Sequence, residues 1–173
     1  MSASGVLNFV VFFGLGVALI VVVVRVLAIS AAISGRARRG KRALEVGRSS
    51  DEALARVLSI ADGLRHRKLD VDAAAVPLAE GVEQLRGLAS AAEAIDRSIG
   101  RIHGPTSLAG EIQRAERAAE MVEHGRSMLA SGLGDEPGEG ETSIKRGYLG
   151  LLHARDAIRL RAEDVAAAAR QRS

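Results

Sequence analysis

The sequence predicts an all-α fold: a single N-terminal transmembrane helix followed by a cytoplasmic antiparallel helical bundle, coiled-coil-like in its longest member. Three observations predict it. An uncharged apolar run covers residues 6–24. Later segments repeat apolar residues at steps of three and four, the spacing of one helix face. No segment alternates β-branched and polar residues as a half-buried strand does.

The apolar run comes first. Its 19 residues carry no charge and one polar side chain, Asn8. As a helix it spans about 28 Å, close to the ~30 Å hydrocarbon thickness of a bilayer. Residues 1–5 then form a short extracytoplasmic N-terminus. Arg25 falls at the interface, where its long stem lies along lipid while the guanidinium reaches water. Val26, Ile29 and Ile33 continue at helical spacing, so the helix extends to about residue 34. A cleavable signal peptide is disfavoured, because "MSASG" lacks a positive n-region and the charge follows the run. Arg25, Arg36, Arg38, Arg39, Lys41 and Arg42 all lie on its C-terminal side. The positive-inside rule places the N-terminus outside and the remainder in the cytoplasm. Within the span, Gly14 and Ala18 form a small-xxx-small pair, a possible helix-association face.

Residues 25–48 form a basic juxtamembrane segment, with seven Arg or Lys against one acid, Glu45. Residues 49–173 hold 17 Arg or Lys against 20 Asp or Glu, a net of −3. The pI near 9.9 therefore belongs to one short segment. A nucleic-acid binder spreads basic residues over a folded face, so no nucleic acid partner is expected. Anionic membrane lipids are, with the six basic residues from Arg25 to Arg42 as the contact set. Within "GRARRGKR", Gly35, Gly40 and Lys41 match most of a phosphate-binding loop. Arg42 stands where Ser or Thr would hold magnesium, so the nucleotide reading is set aside.

The cytoplasmic helical domain covers residues 49–173. Ser49 followed by Glu52 is a capping-box pattern, and the helix it opens buries Leu54, Val57, Leu58, Ala61 and Leu64. Arg65 to Lys68 close it with favourable positive charge. A second helix begins near Asp72 with Pro77 in its first turn or at a kink. Its near-heptad stripe runs Leu78, Val82, Leu85, Leu88, Ala92, Ile95, Ile99 and Ile102, making it the longest at about 30 residues. "HGPTS" stops it. A third helix runs to about Ser131 with Leu108, Ile112, Ala115, Ala119, Val122 and Leu129 inward, and Gly132 and Gly134 end it. A flexible acidic loop at 132–142 leads to a last helix capped by Thr142 or Ser143. Its stripe is Ile144, Tyr148, Leu151, Ile158, Val165 and Ala169. Short connections between successive helices imply antiparallel neighbours.

The chemistry is sparse. The absence of cysteine excludes disulfides, thiolate zinc sites and cysteine nucleophiles. Three phenylalanines (Phe9, Phe12, Phe13) lie in the apolar run, and Tyr148 is the one other aromatic. A core of Ala, Leu, Val and Ile suits close-packed helices better than a roomy ligand pocket. A calcium loop opening at Asp135 has Pro137 at its third position and Arg146 at its twelfth, where glutamate is required. Glu120, Glu123 and His124 lie on adjacent turns, yet bundle metal sites need Glu-x-x-His on two helices. No catalytic residue, metal or cofactor is assigned, and no enzyme is expected. Heavy Ala and Arg usage is that of a GC-rich bacterial genome. The expected role is a membrane-anchored interaction or scaffold protein that docks protein partners or self-assembles as a homo-oligomer. The alternatives are an accessory subunit of a larger transporter or respiratory membrane complex and, below it, a signalling relay.

Overall fold

The computed structural model describes residues 37–100, 106–132 and 138–171, together with Arg25 and Gly35. These residues form four helices and no strand: α1 over 37–65, α2 over Ala75–Ser98, α3 over Leu108–Ser131 and α4 over Glu139–Gln171. The chain divides into two compact units, 1–38 with Ser173 and 39–172, and the second holds the bundle. The expected span at 6–24, with Gly14 and Ala18, lies outside the described residues, as does Arg36. Among the described residues no helix is long and apolar enough to cross a membrane.

Each helix of the bundle lies antiparallel to the next. Arg39 near the start of α1 reaches Ser98 at the end of α2, and Val57 in the later turns of α1 packs on Gly81 in the early turns of α2. Arg86 of α2 meets Glu116 and Glu120 of α3. Gly125 and Ala118 of α3 face Gly140 and Gly147 of α4. The ring closes where α4 returns along α1, with Gly47 against Ala162 and Asp51 against Arg155. The core lies inside this ring and is aliphatic. Leu54, Leu78, Leu85, Leu108, Ile112, Ile144, Leu151 and Ile158 are its largest fully buried side chains.

Close approach replaces bulk at two seams. A Cβ built on Gly125 would lie 2.5 Å from the Gly140 carbonyl oxygen, and one on Gly147 would lie 2.6 Å from that of Ala118. The backbones of α3 and α4 therefore touch, and only glycine fits there. Along α1, Gly40, Ala43 and Gly47 are buried, with Gly40 and Gly47 set against Ala166 and Ala162 of α4.

That second seam overturns the expected start of the first helix. Ser49 opens nothing, because α1 is already helical from residue 37. Its upstream turns have a tertiary partner in α4, which outweighs a local capping signal. Ser50, wholly buried, donates its hydroxyl to the Val46 carbonyl at 2.7 Å inside the helix. The end of α1 agrees with expectation: helix stops at Arg65, and Arg67 takes a left-handed φ of 54°.

Among the described residues the longest helix is α4, with 33 residues, and α2 has 24. Asp70 caps the turn ahead of α2 by accepting from the Asp72 and Ala73 N–H groups, and Pro77 sits in the first helical turn, where its missing N–H costs nothing. The stripe of α2 ends early, since Gly100 turns left-handed at φ 67°, leaving Ile99 half-buried past the helix. Ile102 lies outside the described residues. The start of α3 is capped by Ser107, whose Oγ accepts from the Gly110 N–H at 3.0 Å, and Gly132 ends it at φ 63°. Leu129, expected inward, is exposed to 39% at the rim. Glu139 to Thr142, expected in the loop, form the first turn of α4 instead. The acids there are helix-stabilising, since carboxylates complement the positive N-terminal end of a helix dipole.

Candidate functional site

The strongest site in the sequence is the basic segment, and the bundle places residues 39–48 of it at one end. That end gathers the starts of α1 and α3 and the finishes of α2 and α4, by the antiparallel order above. Lys41 and Arg42 are exposed on the first turns of α1, and Arg38 just ahead of them is exposed as well. Arg25 is helical and exposed. Arg39 differs from the rest: half-buried, it donates from Nη1 to the Ser98 carbonyl at 2.8 Å. A cation on the carbonyl-rich end of α2 is favoured by its dipole, so Arg39 ties α1 to α2. The segment from residue 37 is helix, with Gly40 packed on α4, and offers no loop to cradle phosphates.

Beside it lies a feature the sequence did not single out. Asp96, only 1% exposed, accepts from the Ala109 N–H through Oδ2 at 3.0 Å. Its Oδ1 has no hydrogen-bond partner among the described residues. A carboxylate on the last turn of α2 thus caps the start of α3, joining the two helices. Its cue in the sequence was weak: one acid placed next to the apolar stripe, at a position adjacent to Ile95.

The acidic residues weighed as metal ligands are held by arginines. Arg86 donates to Glu116 at 2.7 Å, to Glu120 at 3.1 Å and also to Glu83. Arg126 grips Glu123 through two nitrogens at 2.7 and 2.9 Å, and its third reaches the Val71 carbonyl. These carboxylates hold the guanidinium pKa values of Arg86 and Arg126 above the ordinary range. His124 is exposed. Of the acidic loop, Asp135, Glu136 and Pro137 lie outside the described residues, whereas Glu141 pairs with Arg67 at 2.5 Å. Arg65 lies over the Tyr148 ring, 4.5 Å from its centroid.

Two outward surfaces remain. His153 and Asp156 line an open groove with Asp51, Leu152, Arg155 and Arg159, and no nucleophile stands among them. Arg155 binds Asp51 through two nitrogens at 2.6 and 3.3 Å, which holds the Asp51 carboxyl below its ordinary pKa while partial burial opposes the shift. The outer face of α4 carries the exposed leucines Leu149, Leu152 and Leu160. No protein-family model, curated protein or solved structure matches this chain.

Proposed function

We propose that the chain is a single-pass membrane-anchored interaction protein. Residues 6–24 span the bilayer, the N-terminus lies outside, and the four-helix bundle docks proteins at the cytoplasmic face. The observation that carries this reading is the placement of charge. Basic side chains follow the uncharged run and stay exposed at Arg38, Lys41 and Arg42, while residues beyond 48 are slightly acidic. Each cation near an anionic leaflet contributes about 1 kcal/mol, screened over roughly 8 to 10 Å of electrolyte. The bundle supplies a rigid body with outward faces for partners and binds neither nucleotide nor nucleic acid. Its arginine–carboxylate pairs are structural.

The test uses the chain from residue 26 to 173 and vesicles with and without acidic lipid. Binding is expected only to acidic vesicles, falling as salt rises. It should fall most when Arg38, Lys41 and Arg42 become glutamine while Arg39, which holds α2, is left in place. Binding indifferent to lipid charge, or tight ATP binding lost on Lys41→Ala, contradicts the reading. Migration of the detergent-extracted full chain with a fixed set of membrane proteins would favour an accessory subunit instead.

A further inference from the structure

The outer face of α4 lies opposite its core-facing stripe, and its residues are arranged as a molecular palindrome. Lys145, Arg146, Leu149, Leu152, His153, Asp156, Leu160, Glu163 and Asp164 are all exposed, and their spacing sets them on one side of the helix. Leu149, Leu152 and Leu160 are 46, 37 and 64% exposed. Reading the face from either end gives two charges, a leucine, a central polar pair, a leucine and two opposite charges, with Leu152 the one member that lacks a like counterpart.

We propose that this face pairs with the same face of a second copy, the two α4 helices antiparallel about a two-fold axis level with residues 154 and 155. That register sets Leu149 against Leu160 of the second copy, Leu152 against the small Ala157, and His153 against Asp156. At the ends, Lys145 faces Asp164 and Arg146 faces Glu163. Every contact occurs twice, as a two-fold interface requires. Lys145 and Arg146 form no ion pair among the described residues, whereas Glu163 and Asp164 hold only the same-helix arginines Arg159 and Arg161 at 3.8 and 3.1 Å. Opposite charges at the two ends fix direction, since a parallel pairing would set like charges together. Three acids on the face argue against burial in an anionic lipid surface. The pairing deepens the interaction reading by naming a second copy as partner, and a shared membrane raises its effective concentration.

The lack of native cysteine makes the test clean. Full-length chains carrying Leu149→Cys or Leu160→Cys are oxidised in detergent and in vesicles, singly and mixed. Along the antiparallel pair, identical positions lie about 16 Å apart, too far for a disulfide. The mixture is expected to form disulfide-linked dimers, and each variant alone to form none. A second arm reverses charge. Chains with Lys145→Glu and Arg146→Glu, or with Glu163→Lys and Asp164→Arg, should each self-associate about tenfold more weakly. Mixed together they should regain wild-type affinity, because the mixed pair is complementary at both ends. Cross-linking of one variant alone, no cross-linking in any mixture, or no recovery on mixing the charge variants overturns the proposal. The same samples are scored for co-sedimentation with vesicles. Sedimentation without pairing removes the dimer and leaves the anchor, and pairing without sedimentation does the reverse. Leucine-dependent vesicle binding without pairing would assign the face to lipid and overturn the dimer.

Discussion

Asp96 carries the most concentrated local consequence in the bundle. One carboxylate oxygen caps α3 at Ala109, and the other is buried without a partner among the described residues. Removing the side chain strips a cap, worth about 1 kcal/mol. Asp96→Ala is therefore expected to lower the denaturant midpoint at unchanged slope, and Asp96→Asn, which keeps an acceptor for the Ala109 N–H, to lower it less. Equal midpoints for Asp96→Ala and the wild type would exclude the cap. Asp51 gives a pH-dependent case. Arg155 depresses its folded pKa, so its contribution is present above the unfolded value, about 3.9, and is lost as pH falls through the lower folded value. Both side chains are about half exposed, which limits the pair to roughly 0.2–1 kcal/mol. The stability gap between wild type and Asp51→Asn should stand at pH 7 and close below pH 4. A gap that does not shrink as pH falls below the pKa of the free carboxyl would have another origin.

The helices themselves rest on small residues as much as on leucines. Gly125→Ala adds a Cβ against the Gly140 carbonyl, a backbone atom that yields only if α3 and α4 separate. Overpacking costs about 1–3 kcal/mol, against at most about 1 kcal/mol gained in helix propensity. The variant should melt earlier. Gly87→Ala, with open space around its Cβ, should melt slightly later. The same sign for both would mean the seam is not close-packed. These seams also mark the limit of what was legible. Helix α3 could be read from end to end, because Ser107 and Gly132 are local signals. Most of the buried faces follow from apolar spacing, apart from Leu129, which lies at the rim, and the small-residue face of residues 37–48. The start of α1 could not be read, because what sustains residues 37–48 as helix is α4, more than a hundred residues away in sequence. The start of α4 was missed because acids that favour a helix N-terminus also mark linkers. At the candidate site, spacing located the basic residues but could not separate Arg39 from its neighbours. Its acceptor, the Ser98 carbonyl, is 59 residues distant.

At the scale of the molecule, the basic start of α1 shares one end of the bundle with the finish of α4, and the outer face of α4 turns three leucines, Leu149, Leu152 and Leu160, to solvent. The central claim is the tether and its direction. The most direct measurement places single cysteines at Ser4 and at Ser173 in the full, otherwise cysteine-free chain. Spheroplasts are then treated with a membrane-impermeant thiol reagent. Ser4→Cys should be labelled in intact spheroplasts and Ser173→Cys only after lysis, with both variants in the membrane fraction. Labelling of Ser173→Cys before lysis, or recovery of the chain without the membrane, would contradict it.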